Sequence, residues 1–271
     1  MNFKELNGPL PSYIGPVGTG RVIELSSAVP KLDVPMTSYT MASGAVRTQW
    51  GPTASMSYEC TWEDASLQDA AYLKSLRLAR KKIWFIDGYA GVTNALPLSW
   101  SIGSKSFWGE SRGVDMDVYT TNISWQDASS MNIAGNSAAT IPTILNINNE
   151  YATINLTAPA FPGRDWCFSI YTKGAATTAT VGGITSTASK TGSWERVVLA
   201  GTATGSTLPI KLSNLGSIAG LQLTWGTKDP QPWVPGAGIA TGIITELSTG
   251  YAQLVDDVLA PCNFTIQETP R

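Results

Sequence analysis

Histidine is absent from all 271 residues, which removes Ser-His-Asp and Cys-His nucleophile chemistry and the histidine-rich zinc and iron sites together. Charge is scarce as well. Only 14% of residues are charged, 18 basic against 20 acidic, for a net charge of −2. No broad field exists to hold a polyphosphate chain, so nucleic acid is not an expected partner. Cysteine is limited to Cys60, Cys167 and Cys262, far apart and without a CxxC spacing, and these read as buried free thiols. Neither the GxxxxGK[ST] nor the GxGxxG phosphate loop occurs, and no cofactor is expected. No apolar run approaches the roughly 18 residues of a membrane span. Residues 1–13 lack the apolar core of about 7 or more residues that a secretion signal needs, so the expectation is synthesis in a cytoplasm and exit, if any, by another route.

These absences leave carboxylate chemistry. A glycoside hydrolase requires two carboxyl groups facing each other across a sugar, which 20 scattered acids neither show nor exclude. Asp115, Asp117 and Asp127 offer hard oxygen ligands for calcium but lack the spacing and glycine of an EF-hand loop, and read instead as solvated turn carboxylates. No catalytic residue and no metal ligand is assigned, and the chain is expected not to be an enzyme.

What is present is the composition of short strands joined by turns: 43% hydrophobic residues with 26 glycines and abundant Ser, Thr and Asn. Disorder would need fewer apolar residues and more net charge. A chain of this length folds as one large or two ordinary domains without a disulfide or metal staple.

Three zones follow along the chain. In the first, to residue 117, Val22 to Leu25 and Ser55 to Trp62 read as strands, the latter with Met56, Tyr58, Cys60 and Trp62 alternating toward a buried face. One helix follows. Ser66 caps it, Asp69 completes a capping box, and Leu67, Ala70, Ala71, Leu76, Ala79 and Ile83 recur at helical spacing. Its basic end, Arg80 to Lys82, complements the helix dipole. Ile83 to Ile86 then reads as a buried strand stopped by Asp87-Gly88. The second zone, residues 118–230, carries runs at Tyr151–Leu156, Trp166–Tyr171, Trp194–Leu199, Ile210–Leu212 and Leu221–Trp225, with Gly182-Gly183 as a turn, which is the spacing of an all-β sandwich. The third, 231–271, has a Pro- and Gly-rich joint and strands at Ile243-Ile244 and Asn263–Ile266. It is too short for a core of its own, so it should return to the first zone, pair Phe264 with it, and leave the middle zone as an insertion with adjacent ends near Tyr119 and Pro230.

The middle stretches Trp166–Gly174, Gly192–Val197 and Leu221–Leu223 resemble those of galactose-binding-like, jelly-roll carbohydrate-binding modules. The strand-helix-strand Ser55 to Ile86, ending Lys-Lys-Ile-Trp-Phe-Ile-Asp, and the exit Pro232-Trp233-Val234-Pro235-Gly236-Ala237-Gly238 followed by Thr245 to Ser248, resemble the tail-tube-like hub domain of bacteriophage distal tail and actinobacterial phage minor tail proteins. The resemblance implies a mainly β fold: a β-sandwich or barrel hub domain with one α-helix, residues 1–117 and 231–271, and an inserted jelly-roll sandwich, residues 118–230. It also implies a virion protein that self-associates in a tail-tip ring, meets the tail tube, tape measure and baseplate hub, and touches host cell-wall polysaccharide through a rim module. Sugars stack on aromatic faces, so Trp125, Tyr119, Trp166 and Tyr171 are the candidate carbohydrate-binding residues, each weighed against packing in a core, with Trp125 favoured by its polar surroundings. The competing reading is a cellular carbohydrate-binding protein or a carboxylate-dependent glycoside hydrolase.

Overall fold

The structure is a computed structural model that describes residues 10–33, 36–40, 46–50, 55–102, 115–117, 124–127, 141, 143–250, 252–253 and 258–269. The fold is mainly β, with β-sandwich sheets and, among the described residues, three helices. Two compact units emerge, residues 24–82 with 241–271 and residues 1–23 with 83–240. Both are discontinuous, and the division falls elsewhere than at residues 117/118 and 230/231.

In the smaller unit an antiparallel sheet runs in the order β16 (Ile239–Thr249), β19 (Cys262–Glu268), β6 (Ser55–Trp62), β3 (Ser27–Asp33). Phe264 lies opposite both Leu247 and Cys60, so the C-terminal strand pairs with the N-terminal zone as its lack of a separate core requires. β6 has the bounds that its alternation predicts, with Met56, Tyr58, Cys60 and Trp62 buried. Helix α1 (Leu67–Ala79) starts where the capping box predicts: Ser66 Oγ accepts from the Asp69 N–H at 3.2 Å, and Asp69 Oδ2 accepts from the Ser66 N–H at 3.2 Å. Ala70, Leu73 and Leu76 are its buried face, while Leu67 is exposed and Ile83 belongs to the next strand. Arg80 ends the helix in a left-handed conformation, φ 47°. β4 (Met36–Thr40) and β5 (Val46–Trp50) pair only with each other among the described residues, as do β17 (Ala252–Gln253) and β18 (Val258–Leu259).

The larger unit is a sandwich organised by one bent strand, β15 (Thr207–Trp225). Its first half pairs with β10 (Thr143–Pro159) and β12 (Thr178–Val181), and its second half with β11 (Asp165–Lys173), which in turn pairs with β14 (Glu195–Thr202). The sequence runs Ile210–Leu212 and Leu221–Trp225 are therefore one strand, not two. Asn214 and Gly220 take positive φ, 54° and 59°, and let it turn between the layers. β13 (Ile184–Thr187) joins β12 through Gly182-Gly183, both at positive φ, the requirement of a two-residue hairpin turn. β8 (Asp115–Asp117) and β9 (Ser124–Asp127) add to β10.

One core fills this sandwich. Ile154, Leu156, Leu208, Ile210 and Leu212 on one layer meet Trp166, Phe168, Val197, Leu199, Leu223 and Trp225 on the other. Tyr13 of β1 (Ser12–Gly15), which pairs with β2 (Arg21–Ile23) and with β7 (Ile83–Ile86), joins the same core, as do Trp84, Leu96 and Trp100. The Trp84 and Trp100 rings meet edge-to-face at 5.3 Å, and Phe161 meets Trp225 likewise at 5.3 Å. This shared core is why residues 83–102 group with the sandwich. Two short helices there, α2 (Gly88–Thr93) and α3 (Leu98–Ser101), correct the expectation of a single helix. At four to six residues they show no periodicity that a sequence pattern can detect.

Candidate functional site

Alternation along β11, β14 and β15 sends Trp166, Phe168, Val197, Leu199, Leu221 and Leu223 into the core and turns Ser169, Tyr171, Arg196, Gln222 and Thr224 to the other face. That face is not open. Ser169, Tyr171, Gln222 and Thr224 are at most 2% exposed, because the segment after β15 returns over them. Arg196 Nη2 donates to Ser169 Oγ at 2.9 Å, Gln222 Oε1 at 3.1 Å and the Gln231 carbonyl at 2.6 Å, and its guanidinium stands 5.3 Å from the centre of the Tyr171 ring. Gln222 Nε2 donates to the carbonyls of Thr93 and Pro232, each at 3.0 Å. Trp233 closes the layer, packed with Ile141, Ile144, Tyr171 and Ala219, while Trp194 lies partly buried against them. Arg196 Nε and Trp225 Nε1 are buried without a hydrogen-bond partner among the described residues. The arrangement fixes a strap over the outer face of β11, β14 and β15. Burial pushes the Cys167 thiol up, against the pull of Arg196, so it is no activated nucleophile.

The strap is the sequence stretch Pro232 to Gly238. Its glycines lie where a side chain has no room: a Cβ on Gly236 would stand 2.2 Å from the Leu96 carbonyl, and one on Gly238 2.1 Å from that of Ala95. Asn94 pins the approach. Fully buried, it donates to the carbonyls of Leu221 and Val234 and accepts from the N–H groups of Leu96 and Leu223. Neither Asn94 nor Arg196 carries a sequence signal beyond being polar in an apolar run.

The candidate sugar platforms fare differently. Trp166 is 1% exposed and its indole fills the space left by Gly182 and Gly201, whose Cβ atoms would stand 3.2 and 2.9 Å from its ring. Tyr171 is 1% exposed beneath Arg196 and Trp233. Neither ring offers a face to a sugar, which corrects the expectation for both: period-two alternation marks two faces without saying which is covered. Trp125 lies on β9 with its backbone opposite Leu145, its side chain outside the described residues, as is the whole of Tyr119. Asp115 and Asp117 pair with Asn155 and Thr153, whereas Asp127 pairs with Thr143 at the other end of β10. They sit on strands instead of turns, with Asp115 and Asp117 on β8 and Asp127 on β9. Among the described residues no group of three or more His, Cys, Asp or Glu is placed to hold a metal.

An open groove of about 470 Å³ lies on the smaller unit, lined by Glu59, Thr61, Arg77, Glu246, Asn263 and Thr265 among others. Strand register sets Glu59, Thr265 and Glu246 side by side on β6, β19 and β16. Much of the lining is already engaged. Lys31 pairs with Glu59, Thr61 Oγ1 donates to Asn263 Oδ1 at 3.0 Å, and Arg77 Nη1 donates to the Leu247 carbonyl at 3.3 Å. Two carboxyls elsewhere are held above their ordinary range. Burial raises Asp87, which caps α2 by accepting from the Ala90 N–H at 2.7 Å, and burial raises Glu268, which accepts from the Met56 N–H. Each has a structural partner.

No protein-family model and no curated protein sequence matches the chain. Among solved structures it is similar to the enzymatically active domain of tailspike protein 4 of bacteriophage CBA120, at 14% identity and a TM-score of 0.33 over 49% of this chain and 21% of that one. The match thus spans about a fifth of that domain's chain. It is also similar to a family 35 carbohydrate-binding module from Cellvibrio japonicus Abf62, at 15% identity and a TM-score of 0.27 over 47% of this chain and 97% of the module. A family 4 module matches at 13% identity and a TM-score of 0.24 over 40% of this chain and 86% of that one.

Proposed function

We propose that the chain is a structural subunit of a bacteriophage tail tip, in which the smaller unit closes into a ring with further copies and the larger unit is a rim module that meets host cell-wall glycan. The observation that carries this reading is the edge of the smaller sheet. Among the described residues β3 is its last strand and the β4–β5 ladder that follows is unpaired with a third strand, while Val29 and Leu32 on β3 are 50% and 53% exposed. A lone two-stranded ladder is marginal in water, and an open edge with apolar side chains invites another chain. Repetition about an axis satisfies every such edge at once. The virion is then the site of action, with tail tube, tape measure and baseplate hub as neighbours.

On this reading the protein is non-catalytic. Its two carboxyls raised by burial are occupied with backbone N–H groups, and Glu59 of the open groove is paired with Lys31. Trp125 and Tyr119 remain the candidates for glycan contact, now without Trp166 and Tyr171.

The test is immunogold labelling of purified virions followed by a tail-tip reconstruction. Several copies about the tail axis are expected. Absence of the chain from virions, or one copy off the axis, would overturn the proposal, as would glycan cleavage lost on changing a single Asp or Glu overturn its non-catalytic part.

A further inference from the structure

Helix α1 carries a buried apolar stripe and, on the opposite side, an exposed one with leucine at each end. Ala70, Leu73 and Leu76 are buried within the smaller unit. Leu67, Ala71, Lys74 and Leu78 form the opposite stripe, all exposed, with Leu67 at 52% and Leu78 at 75%. Their spacing of four, three and four residues is that of a seam one helix presents to another. At 1.5 Å per residue the stripe is about 16 Å long; Ala71 and Lys74 flank its middle, and a two-fold axis there would set the small Ala71 of each copy beside the Lys74 stem of the other, whose ammonium can extend out to water.

Charge is segregated along the same helix. Glu63 and Asp64 precede it, both exposed, whereas Arg77, Arg80, Lys81 and Lys82 end it, also exposed. Asp69 is engaged in the capping box. A parallel partner of the same kind would set like charge against like. An antiparallel one sets each acidic entry against a basic exit, aligns opposed helix dipoles and places leucine on leucine at both ends.

The geometry points to a second copy of this chain as the partner of α1, docked antiparallel about a two-fold axis, with Leu67 of each copy against Leu78 of the other and Glu63-Asp64 of each against Arg80 to Lys82 of the other. Such a contact is isologous and closes at two copies, unlike the head-to-tail contacts that close a ring, so it stands apart from the tail-tip reading.

Sedimentation velocity on the full chain, at rising concentration and at low and high salt, tests this. A dimer that weakens with salt is expected. Leu78→Glu lies on an exposed site, and because symmetry places the change at both ends it should raise the dissociation constant about a hundredfold. Orientation is read separately by mild oxidation. Leu67→Cys and Leu78→Cys should each stay monomeric on a denaturing gel, while an equal mixture of the two should cross-link; the native cysteines are buried and do not compete. A wild type monomeric at every concentration, a dimer indifferent to Leu78→Glu, or cross-linking by Leu78→Cys alone would overturn the inference.

Discussion

The two units solve the burial problem differently. The larger encloses one continuous core in which Tyr13, Trp84, Trp100, Phe161, Trp166, Phe168 and Trp225 are all nearly or fully buried, and even its polar outer face is sealed by the strap. The smaller, though it has far fewer residues, carries four of the eight large apolar side chains exposed among the described residues: Val29, Leu32, Leu67 and Leu78. Scattered exposed leucines need no explanation, but a pair on one edge strand and a pair on one helical stripe do. The larger unit spreads its four, Val22, Tyr89, Val92 and Ile184, over about twice as many residues, so exposed apolar surface is the denser on the smaller.

The largest expected effect comes from cutting in the wrong place. Joining residues 118 and 230 through a Gly/Ser linker, the excision that composition alone suggests, removes β9 to β15 and strips Trp84, Ile86, Leu96 and Trp100 of the core they share with β10 to β15. We expect that deletion to lose soluble expression. Linking Lys82 to Thr241 instead removes the larger unit's residues 83–240 together, so β16, β19, β6, β3 and α1 should keep their fold, read by circular dichroism and cooperative urea unfolding. If the first deletion folds and the second does not, the comparison between the units is wrong.

Next in size is Gly238→Ala, which pushes a methyl to 2.1 Å from the Ala95 carbonyl, against backbone that cannot move aside. The expected loss is about 3 kcal/mol by denaturant unfolding. Gly192→Ala, with nothing within 4 Å of its Cβ, is the control and should stay within about 0.5 kcal/mol.

These glycines show what the sequence disclosed and what it withheld. Strands whose burial follows local alternation were legible to the residue, as at Ser55–Trp62 and Ile83–Ile86, and so was the capped start of α1. The joint Pro232 to Gly238 was visible as a motif, but its reason is a backbone approach from residues 94–97, some 140 positions away along the chain. The continuity of β15 was hidden because Asn214 and Gly220, residue types common in turns, here bend a strand between its two apolar runs. The compact units divide elsewhere than at residue 117, where composition changes, because residues 84–100 share a core with the strands from β10 onward. Among the candidate site residues, Trp166 and Tyr171 looked like platforms because aromatic alternation is the same on a covered and an open sheet.

A smaller effect tests the interior of the smaller unit. Burial holds the Glu268 carboxyl above its ordinary value of 4.5, against the opposing bond from the Met56 N–H. A folded-state pKa above the unfolded one means stability that is full below the unfolded value and lost as pH rises through the folded value. Glu268→Gln keeps an acceptor for Met56 and has no charge to desolvate. At neutral pH it should therefore be more stable than wild type by up to about 1 kcal/mol, the difference closing as pH falls to about 4. Equal stability at both pH values would mean that Glu268 is solvated.

The smallest effect on the subunit should be the most informative about the comparison. Val29 and Leu32 lie on opposite sides of edge strand β3, both about half exposed, so Val29→Thr with Leu32→Lys removes little buried area and should change unfolding by no more than about 0.5 kcal/mol. A lysine on an edge strand discourages pairing with a further strand. If that edge is completed by a neighbouring copy, the doubly substituted chain should remain folded yet fail to enter tail tips, measured by its abundance in purified virions beside wild type. Loss of both stability and incorporation would place Val29 and Leu32 inside the smaller unit's own core. Unchanged incorporation would move the ring contact off this edge.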